Sequence, residues 1–354
     1  MFWLGIADRF KTVTGTPQVG AKYDPIGTYS ATPEIQSRWP GRTIHDSFMY
    51  AIRPARPDDL AAVVELVVRL QADPDHHVGY HGTSAAEIAE ELAGLRPDWA
   101  SGAVLAVAED GTPRGVISVD ADAEVGRAWL FGPFVELPAD HPAFRQCWHN
   151  VADELLEAAM AVPRLSGITD LELFGHRRNR RLGDFAARHG FTQRATSRVF
   201  TLTGSALRPV LVAAVDDADT ARPLGADPQV RAQVIELHER CFPNTTVTGR
   251  QLVEGARGHT IVVATGATGL LGFAAGYAQP DELYVDYVAV DPEMRGAGTG
   301  RALIRALLRE LAAKEGPRPQ AAAVISLGND ASERMFTALG FGLHLELVGY
   351  RREP

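Results

Sequence analysis

The stretch Leu283–Leu308, LYVDYVAVDPEMRGAGTGRALIRALL, decides the fold of this chain. It begins with the apolar residues of a strand, turns at Pro292 into a glycine-rich loop and ends in apolar residues at helical spacing. Gly296, Gly298 and Gly300 allow several backbone N–H groups to point toward one place at the start of a helix. The segment therefore predicts a strand, a loop and a helix that bind a diphosphate.

Two other nucleotide-binding patterns fit this loop poorly. A Rossmann G-x-G-x-x-G motif would need a third glycine where Arg301 stands, and the Gly-Lys-Ser/Thr run of a P-loop is absent from the sequence. A helix start that merely needs tight turns is the remaining alternative. Because each glycine within a helical turn costs about 1 kcal/mol relative to alanine, we favour a functional loop.

Outward from this stretch, apolar periodicity predicts the same order of elements twice. The first half is predicted to contain strands at 103–109, 114–120, 129–136, 171–174 and 197–202, with helices at 148–160 and 182–188. The second half is predicted to contain strands at 210–213, 259–264, 270–277, 282–290 and 321–327, with helices at 230–240, 250–256 and from Leu303 to Gly316. A helix and a closing strand follow. We expect two tandem α+β (mixed α/β) domains, each a mixed, mostly antiparallel sheet flanked by helices.

The predicted domains are a loose tail at 1–48, a first domain at 49–204 and a second at 208–354. The tail prediction follows from its many prolines and glycines and its few aliphatic residues. The repeat has an internal check, because Asn179 precedes Gly190-Phe191 by the same interval of 11 residues (190 minus 179) that separates Asn329 from Gly340-Phe341.

Composition excludes several classes of protein. The 354 residues are 45% hydrophobic and carry a net charge of −9, which disfavours nucleic acid as a partner. No apolar run approaches the ~20 residues that cross a bilayer, so we expect no membrane partner and a cytoplasmic location. Two cysteines, Cys147 and Cys241, cannot form a disulfide framework, and no set of residues has the spacing of a metal site.

The second half resembles the GNAT superfamily of acyl-CoA-dependent N-acyltransferases. The family pattern Val-x-Pro followed by (Arg/Gln)-x-x-Gly-x-(Gly/Ala) is matched by Val290-Asp-Pro292 and by Arg295-Gly-Ala-Gly298-Thr-Gly300. Asn329 and Leu339-Gly340-Phe341 match a second family signal. The resemblance covers residues 208–354 and implies a second domain that binds acetyl-CoA as co-substrate, beside a degenerate first domain.

The resemblance also implies where the cofactor is held. Backbone groups near Val288 and Val290 would pair with the pantetheine arm, and Asn329 and Arg334 would lie nearer the pantetheine and the nucleotide end. The diphosphate of coenzyme A would be held by the loop of Arg295, Gly296, Ala297, Gly298, Thr299 and Gly300.

The implied reaction is attack of a small-molecule or peptide amine on the acyl thioester, which needs a base. Asp286 and Tyr284 are the candidates, and alternation along the strand puts them on the same face as Val288 and Val290. Many family members have a tyrosine general acid where this chain has Phe336. A non-catalytic acyl-CoA sensor or scaffold is therefore the alternative to an enzyme.

The repeat predicts one coenzyme A per chain. At an offset of 154 residues (292 minus 138), Gly132 stands opposite Asp286, and His141–Phe144 stands opposite Arg295–Gly298. The first half therefore lacks both the base and the loop glycines. We expect a monomer whose two halves form an internal pseudo-dimer.

Overall fold

The computed structural model describes residues 43–45, 48–79, 81–95, 98–123, 126–137, 144–212, 221–243, 245, 247–255, 258–267, 269–279 and 281–353. These residues form two compact units. The C-terminal unit comprises Ala195–Glu346. The N-terminal unit comprises the described residues up to Arg194 together with those from Leu347 onward.

The N-terminal unit is a mostly antiparallel sheet with helices. Its strands are β1 (Thr43–His45), β2 (Phe48–Pro54), β3 (Ala103–Ala108), β4 (Pro113–Asp122), β5 (Arg127–Val135) and β6 (Asp170–His176), hydrogen-bonded in that order. Its helices are α1 (Leu60–Gln71), α2 (Ala85–Ala93), α3 (Phe144–Met160) and α4 (Arg180–Arg188). Only β5 and β6 pair in parallel among these strands. The apolar face of α3, including Trp148 and Leu155, packs into the core beside the sheet.

The C-terminal unit repeats this plan. Its strands are β7 (Thr192–Thr203), β8 (Ala221–Pro223), β9 (Thr260–Gly266), β10 (Gly269–Ala278), β11 (Glu282–Val290) and β12 (Gln320–Ser326). They are hydrogen-bonded in the order β7-β12-β11-β10-β9-β8, and β7 belongs to this unit from Ala195 onward. Its helices are α5 (Gly204–Val212), α6 (Pro228–Cys241), α7 (Gly249–Val253), α8 (Thr299–Glu315) and α9 (Asp330–Thr337). Leu303 and Leu307 of α8 belong to one core cluster, and Val234 of α6 and Leu252 of α7 belong to another.

The last strand of each half pairs with the sheet of the other half. β7 pairs with β12 from Ser197 to Thr203, within the C-terminal unit. The last strand of the chain, β13 (Gly342–Arg352), pairs from Leu347 to Arg352 with β6, within the N-terminal unit. The sequence repeat predicts a domain boundary at 204–208. The compact C-terminal unit begins at Ala195, because β7 pairs with β12.

The predicted fold class is confirmed, with two local differences. The predicted strand at 210–213 is wrong, because residues 204–212 form α5 and residue 213 lies outside the described residues. Leu207, Val210 and Leu211 recur at helical spacing and pack on the core that contains α8, which favours a helix over the strand that their β-branched neighbours suggested. Within the predicted tail, Thr43–His45 forms a strand against β2, while residues 1–42 lie outside the described part.

No helix in the described ranges is both long enough and apolar enough to cross a bilayer.

Candidate active site

The glycine-rich loop opens onto free space at the start of α8. Gly296 and Gly298 both have φ of 87°, a conformation that side chains disfavour, and Gly298 is the residue before the helix. A Cβ added at Gly296 would meet nothing within 4 Å, and one at Gly298 would meet only the Arg301 guanidinium at 3.6 Å. In the part of the chain that the structure describes, the N–H groups of Gly296, Ala297 and Gly298 donate to no backbone acceptor.

Three exposed arginines, one in the loop, one on α8 and one on α9, add positive charge to the C-terminal unit. Arg295, Arg301 and Arg334 are exposed, and none forms an ion pair with a described residue. Arg295 instead donates through Nε to the Val290 carbonyl oxygen over 3.3 Å. Together with the positive end of the α8 dipole, these groups make the loop attractive to an anion in a chain of net charge −9. The loop therefore fits the diphosphate that the sequence predicts there.

β11 and β12 diverge beside this loop. Their parallel pairing runs from Glu282 opposite Gln320 to Val285 opposite Ala323 and continues no further among the described residues. Beyond that point β11 still pairs with β10, and β12 still pairs with β7. The facing edges therefore carry backbone N–H and C=O groups that neither strand satisfies, on the segment that contains Val288 and Val290. This opening fits an extended amide-bearing chain such as pantetheine.

Asp286 is the extra residue of a β-bulge in β11. Ala275 of β10 pairs with Tyr287 and Gly276 pairs with Val285, which leaves Asp286 without an opposite residue. The bulge shifts the alternation, so Val288 packs toward the core of α8 whereas Tyr287 packs into the cluster of α6 and α7. The prediction that Tyr284 and Asp286 share a face with Val288 and Val290 is therefore wrong, because strict alternation holds only for a regular strand.

A buried histidine meets the Asp286 side chain. His259, which directly precedes β9, brings Nε2 to 2.7 Å from Oδ2 of Asp286. The His259 side chain is fully buried, and that of Asp286 is 8% exposed. His259 belongs to no motif, so the sequence does not single it out as a site residue. Counting the register of the β9-β10-β11 hairpins could have brought it near β11, but the bulge that makes the contact leaves no periodic signal.

Aromatic rings surround this His259–Asp286 pair. The His259 ring lies edge-on to Tyr277 with centroids 5.4 Å apart, and Tyr277 lies 5.2 Å from Tyr284. The Tyr287 ring centroid lies 5.9 Å from that of His259 and 4.8 Å from that of His238. Burial lowers the pKa of His238, although the hydrogen bond from its Nε2 to the Val247 carbonyl acts in the opposite direction. The Asp286 carboxylate is therefore nearly buried beside a histidine that aromatic rings surround.

Gly276 makes the bulge possible, and its replacement is expected to destabilise the protein. A Cβ at Gly276 would lie 2.1 Å from the Tyr284 carbonyl oxygen and 3.2 Å from Leu307 Cδ2. We expect Gly276→Ala to lower the free energy of unfolding by about 1–3 kcal/mol, the usual cost of overpacking a core. Urea unfolding followed by circular dichroism measures this.

Gly342→Ala is the matched control, because a Cβ there meets nothing within 4 Å and the backbone needs no positive φ. Equal stability of the Gly276→Ala and Gly342→Ala variants would show that the close approach at the bulge is not required.

The remaining predicted residues have structural partners. Asn329 caps α9 by accepting from the Ser332 N–H, as Asn179 caps α4 by accepting from the Leu182 N–H. Phe336 is buried in the core against Phe341, so it provides no acid group. Tyr284 is 7% exposed on the opposite face of β11 from Val285. The described residues contain no group of three or more potential metal ligands.

Backbone pairing corrects the alignment of the two halves. The first parallel pair in the N-terminal unit is Arg127 with Asp170, and the first in the C-terminal unit is Glu282 with Gln320. Matching these pairs aligns β5 with β11 at an offset of 155 residues (282 minus 127). The offset places Phe131, and not Gly132, at the position of Asp286. Phe131 is a buried apolar residue beside the His81 ring, so the first half still has no base there. Residues 141–143, opposite the glycine loop, lie outside the described residues.

Comparison with known proteins agrees with this fold. Residues 231–341 match the family model of the acetyltransferase (GNAT) family. A GCN5-related N-acetyltransferase from Sphaerobacter thermophilus superposes with a TM-score of 0.60 at 19% identity, covering 88% of this chain and 97% of that chain. A tandem GNAT protein from the clavulanic acid biosynthesis pathway superposes with a TM-score of 0.51 at 16% identity, covering 86% and 98%. No curated protein matches the sequence.

Residues 231–341 therefore form a GNAT acetyltransferase domain, and the chain has the fold of tandem GNAT proteins.

Proposed function

We propose that the C-terminal unit transfers an acyl group, typically acetyl, from coenzyme A to a primary amine. The observation that carries this proposal is the coincidence of three features on one strand-loop-helix segment: the open edge of β11, the glycine loop and the carboxylate of Asp286. The loop of Arg295–Gly300 would hold the diphosphate, and the β11 edge near Val288 would hold the pantetheine. Bound acyl-CoA would supply an electrophilic thioester carbon.

Asp286 would act as the base. The amine nitrogen attacks the thioester carbon, a C–N bond forms and the C–S bond breaks with its electron pair leaving on sulfur. The nitrogen gives up a proton to Oδ1 of Asp286, which accepts no hydrogen bond from any described residue. Because the pKa of a thiol is about 8.5, the thiolate leaves readily and takes its proton from water, so a side-chain acid at Phe336 is not required.

A sensor that binds acyl-CoA without turnover is the second candidate. The buried apolar Phe336 at the position of the family's acid favours it. Asp286 favours the enzyme, since a sensor needs no base beside the thioester. Release of free thiol from acetyl-CoA, measured with a panel of polyamines, amino sugars, amino acids and peptides, separates the two. Amine-dependent release supports the enzyme, whereas tight acetyl-CoA binding without release from any amine supports the sensor.

Each chain is expected to bind one acetyl-CoA. The N-terminal unit has Phe131 where the C-terminal unit has its base, so a second productive site is not expected. Isothermal titration calorimetry on the intact chain measures the stoichiometry. A value near two per chain would contradict the account of the first half. The amine acceptor, the monomeric state and the cytoplasmic location stay predictions.

A further inference from the structure

His259 is a buried titratable side chain with no part in the steps described so far. Its Nε2 lies 2.7 Å from Oδ2 of Asp286. An ionised carboxylate only accepts hydrogen bonds, so Nε2 carries the hydrogen in this contact. The distance is that of a hydrogen bond to an ionised acceptor, which is roughly twice as strong as a neutral one. The contact is therefore a strong constraint on the Asp286 side chain.

His259 constrains the Asp286 side chain, whereas the backbone pairing of β11 does not. Asp286 has no opposite residue on β10, so no pair in the ladder orients it directly. His259 is the only described residue that donates to its carboxylate. The His259 ring is itself held edge-on by Tyr277 and tilted against Tyr287. A rigid ring thus fixes Oδ2 and leaves Oδ1 for another donor.

We infer that His259 is a positioning residue for the base, a role that rests on the proposed function. It holds Oδ2 so that Oδ1 faces the amine, and it does not touch the substrate. When Oδ1 takes the proton of the amine, the hydrogen of His259 stays on Nε2, so no bond to His259 forms or breaks. Loss of this hydrogen bond leaves the carboxylate free to rotate and lowers the rate of the chemical step.

Two substitutions separate positioning from packing. His259→Phe fills the volume of the ring without a donor, whereas His259→Gln places an amide N–H near the position of Nε2. We expect His259→Phe to lower kcat by at least about tenfold while the KM for acetyl-CoA changes by less than about twofold. His259→Gln is expected to recover most of kcat. Melting temperature and the calorimetric affinity for acetyl-CoA are measured for both variants.

The outcomes are distinct. Equal kcat for wild type and His259→Phe would overturn the positioning role and leave the proposed function intact. An equal loss of kcat in both variants, with a lower melting temperature in both, would show that His259 only packs the site. If His259→Phe does not fold, His259→Asn replaces it, because its shorter amide does not reach the carboxylate. Wild-type protein that releases no thiol with any amine would remove the proposed function, and this role with it.

Discussion

Asp286→Asn is expected to lower kcat by about 100-fold or more while the KM for acetyl-CoA stays within about threefold of wild type. Asparagine has the shape of aspartate and retains an oxygen that can accept from His259 Nε2, so the bulge and its surroundings are preserved. The amide cannot take a proton from the amine. Because the proposed cofactor contacts lie at the glycine loop and the β11 edge and not at Asp286, we expect the loss to fall on the chemical step. Steady-state thiol release with a reactive amine measures it.

Tyr284→Phe is the control for this experiment. Tyr284 lies two residues before Asp286 on the same strand and is the other candidate base. We expect Tyr284→Phe to keep most of the activity. Activity of Asp286→Asn within about threefold of wild type would exclude a typical base contribution, and loss in Tyr284→Phe would then transfer the role to the phenol.

Gly298→Glu is expected to weaken acetyl-CoA binding by at least about 100-fold, which corresponds to about 2.7 kcal/mol. The new side chain would project into the space in front of α8, near the Arg301 guanidinium, and would place a carboxylate where a diphosphate is expected. The fold should be retained, because no other described atom lies within 4 Å of the added Cβ. Calorimetric titration with acetyl-CoA measures the affinity.

The positive φ of Gly298 requires a second variant. Gly298→Asn introduces a side chain that tolerates this backbone conformation better than most and adds no charge. We expect it to bind acetyl-CoA more tightly than Gly298→Glu. Unchanged affinity in Gly298→Glu would show that the loop does not hold the diphosphate. Equal loss in both variants would show that backbone strain, and not charge, causes the effect.

The conformation of the glycine loop could be predicted from sequence because it is local. Gly296 and Gly298 are needed where the backbone turns left-handed, and Gly316 ends α8 in the same way before Pro317. Such positions depend on a few neighbouring residues, so a single sequence shows them. The tandem repeat was predictable for the same reason, since helix and strand periods are properties of short segments.

The contact between His259 and Asp286 could not be predicted because it depends on an irregularity of strand pairing. The bulge at Asp286 arises where β10 brings Gly276 against the Tyr284 carbonyl, a contact between two strands. It reverses the faces of the residues that follow and brings His259 to the carboxylate. The pairing of β7 with β12 and of β13 with β6 is also non-local, and nothing in the periodicity of either strand specifies its neighbour.

Transfer of an acyl group from coenzyme A to an amine by the C-terminal unit can be measured through both of its products. The most direct test incubates the protein with acetyl-CoA and an amine that raises thiol release, then quantifies both products by mass spectrometry and thiol titration. We expect one acetylated amine for each thiol released by wild type, and little of either product from Asp286→Asn. Thiol released without acetylated amine, or equal transfer by Asp286→Asn, would contradict it.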